Sequence, residues 1–137
     1  MTKMNRYTSL LLLAFFTFTA VHAQKVSGLW KTVDDKTGET KALVQVFTRD
    51  GRLYGKIKEV LVRGVENPLC TECEGDRKDR PIKGMTIIDG LEPDGPNQWK
   101  GDELLNPEEG RWYRCRIWLD EEDPDVLNVR GYLAFFY

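Results

Sequence analysis

The sequence predicts an all-β protein, an antiparallel meander that closes into a small β-barrel. Three observations predict it. Strand-like runs alternate with Gly, Asp, Asn and Pro punctuation, no segment keeps a helical period for three turns, and an Asp-Gly pair separates two apolar-rich runs where a hairpin requires it. Closure is expected because it is the arrangement that removes exposed strand edges.

The elements follow in order. "GLWKTVDD" (Gly28 to Asp35) reads as the first strand, with "DDKTGE" as its turn. "ALVQVFT" (Ala42 to Thr48) and "LYGKIKEVLV" (Leu53 to Val62) flank "RDGR", in which glycine accepts a positive φ without steric cost. A strand-free stretch from Arg63 to Gly84 comes next. Four more strands complete the meander: "MTIIDGL" (Met85 to Leu91), "QWKGDELL" (Gln98 to Leu105), "RWYRCRIWL" (Arg111 to Leu119) and "VLNVRGYLAFFY", which ends on the apolar residues Ala134 to Tyr137. Their connections, "EPDGPN", "NPEEG" and "DEEDPD", are built from turn residues.

Side-chain alternation assigns the faces. In "RWYRCRIWL", Tyr113, Cys115, Ile117 and Leu119 form an inward apolar face, and Trp112, Arg114, Arg116 and Trp118 form an outward stripe. That stripe reads either as cross-strand stacking or as a docking surface for a protein partner. The inward set also takes Trp30, Val44, Val46, Ile57, Ile87 and Val129. Such bulky residues either fill the interior or leave room for one small ligand, and Cys115 among them reads as a small buried hydrophobe.

Residues 1–23 read as a secretory signal peptide. Lys3 and Arg6 precede an apolar run from Leu10 to Ala20, which is too short for a membrane span, and Val-His-Ala then offers a small-residue cleavage site before Gln24. The expected working protein is one exported domain over residues 24–137, periplasmic or secreted, with no transmembrane segment. With Lys3 and Arg6 removed it has 18 basic and 22 acidic residues, a charge of −4 without a clustered basic face. Nucleic acid is therefore not an expected partner.

The one histidine, His22, lies in the segment expected to be cut away, and Ser27 is the one serine beyond it. A chain so composed has no Ser-His-Asp or Cys-His relay, no imidazole base and no histidine ligand for zinc, so the expectation is a non-enzyme without cofactor or metal. The adjacent carboxylates Asp34/Asp35 and Glu108/Glu109 sit in turn signals, and neighbouring residues on a strand point opposite ways. Carboxylate catalysis needs two groups converging across a cleft, which no local pattern shows.

Two resemblances carry further expectations. "GLW" on the first strand with Arg130 of "NVRGY" on the last resembles the Gly-x-Trp and C-terminal arginine signature of lipocalin-like barrels, in which the arginine lies across the tryptophan. The resemblance implies that Gly28, Trp30 and Arg130 close one end, with about 2 kcal/mol from a shielded cation–π contact. More specifically, "GLWKT-DDKTGE", "C-x-x-C-x-GDRKD-x-PI-x-GM-x-I-x-x-GL", Trp99-Lys100-Gly101, "L-x-NPEEG-x-x-Y" and "VRGY" together resemble the bacterial family called domain of unknown function 2147. That resemblance covers nearly the whole mature chain and implies a small exported, lipocalin/calycin-like barrel with no established activity. Members usually continue past the "RGY" strand through a further segment, whereas this sequence stops at Tyr137, which leaves the barrel unclosed or the chain shortened.

Cys70 and Cys73 lie in the strand-free stretch, and three chemistries compete for them. Zinc would need carboxylates such as Asp76 or Asp79 to complete four ligands. A redox pair normally needs a helix N-terminus under the first sulfur, although Arg77, Lys78 and Arg80 would favour a thiolate. A plain disulfide is the expectation, because exported thiols meet an oxidising compartment. So small a ring contributes about 2 kcal/mol against about 4 for a bridge to Cys115, so it orders its own loop. Gly75, Asp76, Lys78, Pro81 and Gly84 then belong to a cross-linked lid or rim.

Binding of a small hydrophobic or amphipathic molecule under that lid is the leading functional expectation. The alternative is an envelope protein-interaction module acting through the outer stripe or an edge strand. A thiol-disulfide redox protein using Cys70 and Cys73 is the third.

Overall fold

Asp50 and Gly51 both take positive φ, 50° and 77°, so the chain reverses in two residues between β2 (Thr40–Arg49) and β3 (Arg52–Val60). This is the hairpin geometry an Asp-Gly pair dictates. A computed structural model of the protein describes residues 25–132. With β1 (Gly28–Val33), β4 (Thr86–Pro93), β5 (Gln98–Asn106), β6 (Arg111–Leu119) and β7 (Leu127–Tyr132), the two form one antiparallel sheet whose strands lie in sequence order. The all-β meander is thus as the sequence predicts. The signal-peptide reading of residues 1–23, and the apolar end Ala134 to Tyr137, lie outside the described residues.

The two outer strands do not meet among the described residues. Among the described residues β1 pairs only with β2 and β7 only with β6, so the sheet curls into a half-barrel with two edges. One consequence appears at Val129. It stands opposite Ile117 in the β6–β7 register, hence on the inner face, yet it is 53% exposed because no described strand lies beyond β7.

The interior is divided along the strand direction. At the end carrying the Asp50-Gly51 turn, Val46, Leu53, Leu91, Trp99, Ile117 and Leu119 are buried together. Two indoles are tied there: Trp99 Nε1 donates to Gly51 O at 3.1 Å, and Trp30 Nε1 to Val26 O at 2.8 Å. Each fully buried Leu or Ile contributes roughly 1.5–3 kcal/mol, so this end anchors the fold.

At the opposite end a second, smaller cluster gathers Cys70, Cys73, Met85 and Leu105, with Ile82 and Ile87 against it. It seats the 61–85 connection. Leu69 and Pro81 form a single bridge within that connection, Gly75–Arg77 makes one 3₁₀ turn, and Gly75 and Gly84 take φ of 61° and 85°. Lys78 Nζ donates to Thr71 O and so closes the turn on itself.

Candidate functional site

An apolar cavity of about 380 Å³ opens at this second end. Strands supply one wall: Ala42 and Val44 from β2, Ile57 and Val60 from β3, Ile87 from β4. Ala42 and Val44 face inward by alternation, whereas Val60 and Ile87 reach the cavity at register shifts in the β2–β3 and β3–β4 ladders; small and β-branched side chains face one another there and no aromatic ring is among the lining residues. The connection supplies the other wall with Val62, Val65, Pro68 and Ile82, and the end of β5 and the turn after it add Asn106, Pro107 and Glu108. Val62 and Val65 are 40% and 46% exposed while lining the cavity, so its lip is itself apolar.

The connection is held against the β5–β6 turn by backbone contact. Gly110 has φ 63°, and a Cβ there would lie 1.8 Å from Glu72 O, so only glycine lets the two segments meet. Cys70 and Cys73 are joined as a disulfide, Cα atoms 5.3 Å apart, with both residues almost wholly buried. Cys70 Sγ lies 3.2 Å from Pro107 O; a disulfide sulfur carries no proton, so this is close packing and not a hydrogen bond. The staple therefore backs the β5–β6 turn that lines the cavity. From the outside, Arg77 lies over the Trp112 ring at 4.9 Å, an exposed contact that contributes roughly 0.5–1 kcal/mol.

The polar rim is three charges. Lys41 Nζ stands 3.4 Å from Asp34 Oδ2 and 3.4 Å from Glu108 Oε1. Asp34 is pulled down to about 2, first by the backbone N–H groups of Thr37 and Lys36 on its Oδ1 and then by Lys41. The Asp34 carboxylate, and behind it Glu108, push the Lys41 ammonium above the ordinary lysine range. Two turn carboxylates that the sequence leaves far apart thus converge, but on a lysine, and one is held fully ionised. A carboxylate so held is a poor proton donor near neutrality.

A larger depression of about 700 Å³ lies elsewhere on the sheet, lined mainly by charged side chains with Gly101, Cys115 and Tyr132. Most of its charges are paired: Arg52 with Glu92 at 3.0 Å, Lys100 with the nearby Asp94 at 2.9 Å, Arg114 with Asp102 at 2.7 Å. Arg116 reaches Asp94 at 3.4 Å, so the outward arginines of β6 have intramolecular partners. The apolar cavity is the better candidate because its aliphatic lip, Val62 and Val65, stays exposed among the described residues.

The structure sorts the residues the sequence singles out. Val44, Ile57 and Ile87 line the cavity; Val46 and Ile117 belong to the packed end; Trp30 is half-buried against that core. Tyr113 is half-buried, and its O–H donates to the Glu109 carboxylate. Gly75, Asp76, Lys78, Pro81 and Gly84 are exposed on the connection and do not line the cavity. Arg130 corrects an expectation: its guanidinium lies 5.9 Å over Tyr132 on its own strand, because β7 and β1 are opposite edges of the open sheet. Cys115 is buried, and desolvation, with smaller contributions from Glu103 and Asp102, pushes its thiol up to about 12. Sequence reasoning missed Lys41, Val62, Val65 and Ile82. Apolar residues recurring in a strand-free loop were the available signal for Val65 and Ile82; Val62 reads as the end of a strand that in the structure stops at Val60, and nothing local marked Lys41.

Among the described residues no group of three His, Cys, Asp or Glu side chains is placed to hold a metal ion, and no helix is long and apolar enough to cross a membrane.

Comparison with known proteins bears on the fold and the family. A solved structure described as "Protein HP1028 from the human pathogen Helicobacter pylori belongs to the lipocalin family" is similar at a TM-score of 0.66 and 18% identity, covering 80% of this chain and 73% of that one. The half-barrel is therefore lipocalin-like in fold. None of the curated proteins matches significantly. The family model described as "Uncharacterized protein conserved in bacteria (DUF2147)" matches residues 28–137, and the chain belongs to that family.

Proposed function

We propose that this protein is an exported binding module that holds one small apolar or amphipathic molecule in the cavity at its stapled end, and that it is not an enzyme. The cavity carries the reading. Its walls are aliphatic, its lip is aliphatic and exposed, and its volume falls at the low end of the roughly 300–1,000 Å³ typical of small-molecule sites. The similar lipocalin-family structure supports it at the level of fold. Export rests on the leader-like residues 1–23 alone.

Fluorescence titration with the apolar probe N-phenyl-1-naphthylamine tests it. Saturable enhancement is expected for the wild type and loss of it for Ala42→Phe, whose ring fills the cavity, with the urea midpoint of that variant held near the wild-type value. No saturable binding to the wild type, or undiminished binding to the variant, contradicts the reading.

A second reading, strand addition by another chain, is favoured by the two open edges, where Leu29 and Val33 on β1 and Tyr132 on β7 are exposed. The redox reading is weakened by the burial of both sulfur-bearing residues, Cys70 at 0% and Cys73 at 3% exposure.

A further inference from the structure

We infer that the cavity selects molecules by an anionic head group of the carboxylate class, which docks on Lys41 in the place that Glu108 now occupies. The inference rests on the binding reading above and adds the chemistry of the ligand's polar end.

Among the described residues lining the cavity, Lys41 is the cation and Glu108 the anion. They are fixed very differently. Lys41 sits in β2 beside buried Ala42, where the β1–β2 register shifts between Thr32 and Val33; it lines the cavity, and its ammonium reaches Asp34 and Glu108. Glu108 sits on the β5–β6 turn, its side chain 60% exposed against 39% for Lys41. The described hydrogen bonds to the Glu108 carboxylate come from Lys41 alone, at 3.4 Å. Asp34 is the opposite case: its Oδ1 accepts from Lys36 N at 2.9 Å and Thr37 N at 3.0 Å, so it remains as the lysine's permanent counter-ion.

The lengths give the direction of exchange. Charge-assisted N–H to carboxylate bonds close to roughly 2.7–2.9 Å when geometry permits. Lys41 makes two contacts of 3.4 Å and so is incompletely satisfied. A ligand carboxylate arriving from inside the cavity reaches the ammonium along the apolar wall, and the displaced Glu108 turns to water. A neutral head group forms no charge-assisted bond there. A cationic one meets Lys41 itself, with Asp34 already engaged.

The test displaces bound N-phenyl-1-naphthylamine from the protein with three ligands sharing one apolar chain: decanoate, decanol and decyltrimethylammonium. Decanoate is expected to displace the probe at about tenfold lower concentration than decanol, as one charge-assisted hydrogen bond implies, with decyltrimethylammonium no better than decanol. Lys41→Met, which keeps an apolar stem, is expected to erase that advantage. Glu108→Gln, which leaves the lysine intact, is expected to enlarge it and guards against a Lys41 variant that fails to fold. Equal displacement by decanoate and decanol in the wild type overturns the inference and leaves the binding reading standing. Failure of the probe to bind at all overturns both.

Discussion

The two ends of the half-barrel are built from the same seven strands and differ in what fills them. At the Asp50-Gly51 end, two indoles and fully buried Leu53, Leu91 and Ile117 occupy the interior, and each indole N–H has a carbonyl to donate to. At the stapled end the strands contribute Ala42, Val44 and Ile57, the space is left open, and structure comes from a connection fixed by a disulfide and a glycine contact. One end holds the fold together, which frees the other to leave its core unfilled. Binding chemistry belongs where packing is incomplete.

The largest expected effect sets the ends directly against each other. Ile117→Ala, at a site with no exposure, should cost about 4 kcal/mol, whereas Ile57→Ala beside the existing cavity should cost about 2. Urea unfolding measures both, and equal losses would erase the distinction between the ends.

Next in size is the seam between the staple and the turn. Gly110→Ala combines a positive φ with a Cβ placed 1.8 Å from Glu72 O, and is expected to cost about 2 kcal/mol and to weaken probe binding. Gly38→Ala shares the positive φ, 71°, but has nothing within 4 Å, so about 1 kcal/mol and unchanged binding are expected. If the two variants behave alike, the backbone contact does not shape the cavity.

The smallest effect is electrostatic and falls on the rim. Asp34 titrates at about 2 in the folded protein against an ordinary 3.8, so its contribution is present above pH 3.8 and is lost as the pH falls through about 2. A carbon-13 titration of its carboxyl should show a midpoint near 2 in the wild type. A midpoint near the ordinary value would mean that Asp34 is not pinned, and the rim would lose its fixed counter-ion.

The strands, the Asp-Gly hairpin and the inward positions on β6 were legible because each is written in local chemistry: period-two alternation, or a residue that tolerates a left-handed backbone. The pairing of Cys70 with Cys73, which stand at disulfide distance, was legible through their three-residue spacing. Arg130 was misplaced because its partner depended on whether two distant strands meet, and no local pattern encodes that meeting. The rim was invisible for the same reason. Lys41 and Glu108 are 67 residues apart and adjoin only once the connection and the β5–β6 turn have folded over one end of the sheet. The cavity itself is a space between strand positions that read as core, Val44, Ile57 and Ile87, and a connection and turn that did not.

Five isoleucines divide between the two ends and make the most direct test. Ile57, Ile82 and Ile87 line the cavity, and Ile88 and Ile117 lie in the packed core. With isoleucine methyl groups labelled for NMR and decanol titrated in, the expected result is saturable shifts at Ile57, Ile82 and Ile87 with Ile88 and Ile117 unmoved. Shifts centred on Ile117, or none that saturate, would contradict the assignment of binding to the stapled end.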